Sequence, residues 1–199
     1  MKRLAALLAL LLAGCISATS VPPMQYYVLA DSGTAAEPHR AAAGGRVLLV
    51  HPTAVSAFYD TQRLVYSRAP LERSYYQFAA WTERPGRAFT ELLSRRLGAP
   101  LTTAGVRGDV VLRTRIEQLY HEAAATPGRV TIEVSAELID ATGRRIGDQR
   151  FTRSVPTRAE NSIAAVEAAN RAVTEVLDDI AAWCAAAPAD SRPTASLSD

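Results

Sequence analysis

The stretch DVVLRTRIEQLY, Asp109–Tyr120, decides the architecture. Val110, Leu112, Thr114, Ile116 and Tyr120 fall on one side of a period-two pattern, and Arg113, Arg115 and Glu117 on the other. Such alternation belongs to an antiparallel strand with one face on a core and one in water. Val130, Ile132, Val134, Ala136 and Leu138 repeat it against Thr131, Glu133, Ser135 and Glu137. The turn Asp140-Ala-Thr-Gly-Arg144 has the length and chemistry of a hairpin leading into a strand over Ile146–Val155. Arg150 and Arg153 on that strand place it near a sheet edge, where charge discourages further pairing.

Working outward, the period changes. Pro85 opens a helix and Gly98 closes it, the usual first-turn and stop residues. Phe89, Leu92, Leu93 and Leu97 share one face of it, with Arg87, Glu91, Ser94 and Arg95 on the other. A second helix, about Asn161 to Ala185, carries Ile163, Val166, Asn170, Val173, Leu177, Ile180 and Cys184 at spacings of three and four. That stripe has to be buried, on the chain's own sheet or in a coiled coil with Asn170 fixing register, and the sheet is the simpler partner. Tyr26–Ala30 reads as a first strand, Asp31–Gly45 as a mobile loop, and Arg46–Pro52 as a short strand buried on both faces. The fold class is α+β: a single domain with a mixed, mainly antiparallel sheet packed by two amphipathic helices.

The amino terminus has a different logic. Lys2 and Arg3 precede an almost pure Leu/Ala run, Leu4–Leu12, and Ala13-Gly14 then lead into Cys15. This is the layout of a bacterial lipoprotein signal: small residues lie extended in a peptidase cleft, and the Cys15 thiol accepts a thioether-linked diacylglycerol. A membrane-spanning helix needs roughly 20 apolar residues, and this run is far shorter. Residues 1–14 are therefore read as signal peptide and 15–25 as lipidated tether. The domain then occupies 26–187, and the polar tail 188–199 is expected to be disordered. As a flexible coil the ten residues Ile16–Gln25 would reach about 17 Å, keeping the domain close to its membrane. Ile16 rather than Asp after the cysteine favours the outer membrane over the inner one.

Charge narrows the partners. The chain has 22 basic and 20 acidic residues, and removal of Lys2 and Arg3 leaves 20 of each. A neutral domain argues against nucleic acid, which is bound through a basic patch. Once Cys15 is acylated, Cys184 has no intramolecular partner, so it is a small buried residue or an intermolecular bridge. His39, His51 and His121 have no zinc-site spacing, and no nucleophile elbow, Walker loop or His-Glu-x-x-His occurs. Glu72 and Glu83 flank the aromatic middle of the chain without any sign of convergence, and a solvated or ion-paired role suits them best. No cofactor, metal or catalytic residue is expected.

The aromatic middle is the most distinctive part. Phe58–Arg68 runs into Ser74–Trp81 with Tyr59-Asp60, Leu64-Val65-Tyr66, Tyr75-Tyr76, Trp81 and Pro85 in order, followed by the Leu-rich helix. This order, with the lipobox, resembles the auxiliary lipoprotein component of ABC-type transporters, in particular the paraquat-inducible protein C type that works beside MCE-domain proteins. The resemblance covers Tyr26 to about Ala185, and departs at Thr82-Glu83-Arg84, where relatives often carry a small residue and an acid. It implies a non-enzymatic, lipid-anchored accessory of an ABC/permease lipid-transport system, docked to an MCE-domain partner. The alternative is a lone envelope lipoprotein with an apolar pocket between sheet and helix, and a homo-oligomer stays open in either case. The aromatics are core residues or a partner surface. If they form a surface, Tyr66, Arg68, Tyr75 and Tyr76 are the docking candidates, since Tyr and Arg combine large contact area with directed hydrogen bonds.

Overall fold

One long strand organises the computed structural model, which describes residues 21–35 and 46–186. Strand β6 (Val110–Glu122) pairs along its whole length with β7 (Arg129–Asp140), which pairs in turn with β8 (Arg145–Pro156), all antiparallel. Because β7 occupies one edge of β6, the other edge is left for three short strands. These are β2 (Leu48–Val50), β3 (Ala54–Val55) and β4 (Arg63–Ser67), each parallel to β6. β4 pairs antiparallel with β5 (Ser74–Trp81), and β1 (Gln25–Tyr27) lies parallel on β5. The eight-stranded sheet runs β1-β5-β4-β6-β7-β8 and is mixed, with most paired residues in antiparallel ladders. β8 ends one side of it, as its arginines suggest.

Helix α1 (Pro85–Leu97) begins at Pro85 and ends at Gly98, whose φ of 58° is the left-handed conformation that glycine adopts without steric cost. Phe89, Leu92 and Leu93 are buried beneath it. Arg84, at the position where an acid would cap the helix, makes no cap bond and pairs instead with Asp60 at 3.0 Å. A chain of buried hydroxyls joins α1 to the sheet: Thr53 donates its backbone N–H to Thr90 Oγ1 at 2.8 Å, and its own hydroxyl meets that of Thr114 at 2.8 Å.

Helix α2 (Ser162–Ala186) lies on β7 and β8. Asn161 accepts the N–H of Ala164 at 2.9 Å and so supplies one of the hydrogen bonds that a helix start lacks. Val173, Val176, Leu177 and Ile180 are fully buried against Ile132, Val134 and Phe151, each worth about 1.5–3 kcal/mol of burial. The apolar stripe is thus satisfied within the domain. Two of its expected members differ. Ile163 is exposed, because it points away from the face on which Ala164, Ala165 and Val166 of the same turn are buried. Asn170 serves no coiled coil: its Oδ1 accepts the N–H of Ala30 at 3.0 Å and its Nδ2 donates to the carbonyl of Val28 at 3.3 Å.

Those two bonds shorten the first strand. β1 stops at Tyr27, and Val28–Ser32 leaves the sheet to run across α2, where Ser32 donates its N–H to Thr174 Oγ1 at 3.1 Å. Asp31 is then clamped by the buried Arg96 of α1, which also reaches Asp178 of α2. The head of the segment expected to be a mobile loop is therefore a strap over both helices, while 36–45 lies outside the described residues. Cys184 is buried under α2 and its thiol is pushed up to about 12 by burial, so it stays protonated. Cys15, the signal peptide and the tail 188–199 also fall outside the described residues.

A bulge in β6 has the largest effect on the site. The register slips between Ile116 and Gln118, so two residues share one partner position and the alternation changes sides. Leu119 and His121 turn inward and Tyr120, expected in the core, turns outward beneath the guanidinium of Arg73, 3.9 Å from its ring. Glu117 at the bulge accepts from Ser135 at 2.8 Å and Ser56 at 3.0 Å. Burial alone would raise its carboxyl, but these bonds and Arg115 hold it below the usual value.

Candidate docking site

β4 and β5 form a hairpin, which brings the two halves of the aromatic segment into register, Val65 opposite Tyr75 and Tyr66 opposite Ser74. Successive residues of a strand point to opposite faces, and irregular pairing at Arg63–Val65 re-aims the rings further. Trp81, Ala79 and Ala80 at the end of β5 are buried in the core, while Tyr66, Tyr75 and Tyr76 are half-buried and Arg68 is exposed. Core and surface readings therefore both apply, to different parts of one strand.

All four docking candidates line a single open groove of about 800 Å³. Gln77, Phe78 and Ala79 continue along the β5 wall. The opposite side is built by Pro22, Pro23 and Gln25, by His121 and Ala123, and by Glu160, Asn161 and Ser162 at the start of α2. None of these residues was a docking candidate in the sequence, where His121 was weighed only as a zinc ligand. They come from segments more than 30 residues away, and His121 reaches the groove only because the bulge reverses its side.

The rings are held by specific contacts. Tyr76 and His121 meet at 2.7 Å between the tyrosine hydroxyl and Nδ1, with near-parallel rings. Tyr66 packs edge-on to Tyr76 at 5.1 Å, and Arg68 lies over the Tyr66 ring at 5.3 Å. Such cation–π contacts are worth about 0.5–1 kcal/mol at exposed sites. Tyr75 is sandwiched between Phe58, stacked at 4.9 Å, and the Arg63 guanidinium at 5.0 Å, and its hydroxyl donates to the Phe58 carbonyl at 3.3 Å. Tyr75 is thus tied to Phe58 and Arg63, whereas Tyr66 is held by Arg68 and Tyr76 and the Arg68 side chain is exposed.

Burial sets the protonation of the groove's tyrosine and histidine. Burial raises Tyr76 to about 12, Tyr66 adding to the rise and Arg68 opposing it, so its phenol does not ionise near neutrality. Burial lowers His121, with Glu160 pulling the other way, so its imidazole is held neutral. His121 Nε2 and the hydroxyl of Thr157 are buried without a hydrogen-bond partner among the described residues. Beneath the groove, between sheet and α2, Tyr76, His121, Leu64, Trp81 and Ala165 line a cavity of about 20 Å³, room for about one water molecule. Glu72 and Glu83 sit at opposite ends of β5, Glu83 paired with Arg87 at 3.2 Å, and His51 is exposed beside Thr102. His39 lies outside the described residues.

The chain shares its fold with solved proteins of low sequence similarity. A Xanthomonas campestris protein described as belonging to DUF330 superposes with a TM-score of 0.68 at 20% identity, over 80% of this chain and 94% of that one. An uncharacterized protein gives a TM-score of 0.64 at 14% identity, over 81% of this chain and 99% of that one. No curated protein matches the chain. Residues 27–181, from the first strand almost to the end of α2, match the family described as ABC-type transport auxiliary lipoprotein component, and the chain belongs to that family.

Proposed function

We propose that the chain is a lipid-anchored periplasmic accessory subunit of an ABC/MCE-type intermembrane lipid-transport system, held at the outer membrane through Cys15. Its partner in this reading is an MCE-domain protein, docked in the groove formed by β4, β5 and the start of α2. One observation carries the reading: Tyr66, Arg68, Tyr75 and Tyr76 converge on one open groove whose size suits a segment of another protein. Tyrosine and arginine side chains combine large contact area with directed donors, the mix that dominates protein interfaces. A lone lipid-binding lipoprotein would need an interior pocket, and the cavity between sheet and helix has space for one water rather than an acyl chain. Affinity purification from solubilised envelopes through a periplasmic tag tests the proposal. An MCE protein as the main co-purifying species is expected, and its loss on Arg68→Ala in a folded, membrane-bound chain is the supporting result. Capture undiminished by Arg68→Ala and Tyr66→Ala would place the interface elsewhere.

A further inference from the structure

An edge strand exposed to water usually turns polar side chains outward. β1 and the strap that continues it do the reverse. Tyr27 of β1 and Leu29 of the strap point inward, Tyr27 placing its hydroxyl 3.1 Å from that of Ser162, and the alternate residues Tyr26 and Val28 point out at 66% and 61% exposure. Met24 and Val21 before them are also exposed, Val21 at 75%, and so is Ile163 beside Ser162. Nothing among the described residues covers this apolar edge.

The sequence upstream indicates what does. From Cys15 to Ala30 there is no charged residue, and the first one, Asp31, is neutralised in its clamp with Arg96. Val21 follows the cysteine by six residues, a span whose reach as a flexible coil is only about 13 Å. An uncharged apolar strip with an outward tyrosine has the composition that settles among lipid headgroups. We infer that the edge carrying Tyr26 and Val28 lies on the lipid surface of the anchoring membrane, with both side chains in contact with phospholipid. This rests on the lipid anchor at Cys15. It orients the domain, since the groove begins at Pro22 and Pro23 and runs along β5 away from that edge.

The test uses the full lipidated chain in vesicles of phosphatidylethanolamine and phosphatidylglycerol. Val28→Cys, with Tyr26→Cys as a second position, carries a nitrobenzoxadiazole probe. Leu71→Cys is the control, fully exposed in the β4–β5 turn and ~17 Å or more along β5 from the residues that pair with β1. Cys184 is buried, so the introduced thiol is the one labelled. Blue-shifted emission at residues 26 and 28, quenched several-fold more by nitroxide-bearing phospholipid than at residue 71, is expected. Probes as wet as the control, in a chain shown by fatty-acid labelling to be lipidated, overturn the inference and leave the anchor intact. A blue shift without quenching by lipid-borne nitroxide also overturns it, in favour of a second copy or another protein. A chain that takes up no fatty acid overturns the anchor and this inference together.

Discussion

The two halves of the sheet solve different problems. On one side β6, β7 and β8 pair over twelve or thirteen residues each, and α2 closes their inner face with aliphatic side chains. On the other, β1, β4 and β5 are shorter, and the tyrosine rings of β4 and β5 are fixed by hydroxyls, guanidinium groups and an imidazole rather than by deep burial. The first half supplies stability without needing particular residues, since any well-packed apolar set of the right volume would serve. The second holds specific chemical groups at the surface, which is what recognition requires.

That contrast can be broken most severely from the stable side. Leu177 is fully buried on α2, and Leu177→Asp should cost about 4 kcal/mol or more in denaturant unfolding, because a carboxylate would be buried unpaired. An unchanged unfolding midpoint would mean that α2 does not close the core. A smaller loss is expected where the halves meet. Tyr76→Phe keeps the ring and removes the hydroxyl that His121 Nδ1 bonds, which should cost about 1–2 kcal/mol by the same measurement. A neutral result would show that water replaces the hydroxyl and that the groove is wetter than its rings suggest.

The burial of His121 predicts a pH dependence. Burial holds His121 below its ordinary value of 6.5 in the folded state, with Glu160 opposing. The unfolded chain then binds the proton at higher pH than the folded one. This contribution to stability is complete above about 6.5 and is lost as pH falls through that value toward the folded one. Melting temperature should drop on acidification from pH 7.5 to 5, and His121→Gln should flatten the drop. A slope unchanged in that variant would assign the effect to other groups. The smallest stability effect belongs to Arg68→Ala at the exposed rim: within ~0.5 kcal/mol for folding, against a loss of about 1–3 kcal/mol in capture of the partner. Thermal unfolding and co-purification on one preparation separate the two, and equal losses in both would make the groove part of the core. Tyr75→Ala is a poorer probe because it also breaks the sandwich with Phe58 and Arg63.

What was legible in the sequence follows the same division. The alternation of β7, the bounds of α1 at Pro85 and Gly98, and the buried face of α2 depend on local periodicity and were readable. So was the grouping of Tyr66, Arg68, Tyr75 and Tyr76, since a hairpin joins neighbours in the chain. The bulge at Glu117 was not readable, because it is one extra residue in an otherwise regular pattern, and it alone moves His121 into the groove and Tyr120 out of the core. Asn170 looked like a register residue and proved to hold the strap, a contact spanning 140 residues that no periodicity encodes. Ile163 continued the stripe in spacing but is exposed, and the small residues Ala164 and Ala165 are buried at that turn instead.

The strap also settles how the domain would carry a mechanical load. A pull from a lipid-anchored amino terminus acts first on β1, whose three paired residues can peel from β5, and then on the bonds to Asn170. Peeling residues 21–30 releases ten residues, roughly 33–36 Å of extended chain, before tension reaches Asp31 in its buried clamp with Arg96. The first strand would thus act as a length of slack and the guanidinium clamp as its stop, passing any further load to Arg96 of α1 and Asp178 of α2 rather than to the long ladders.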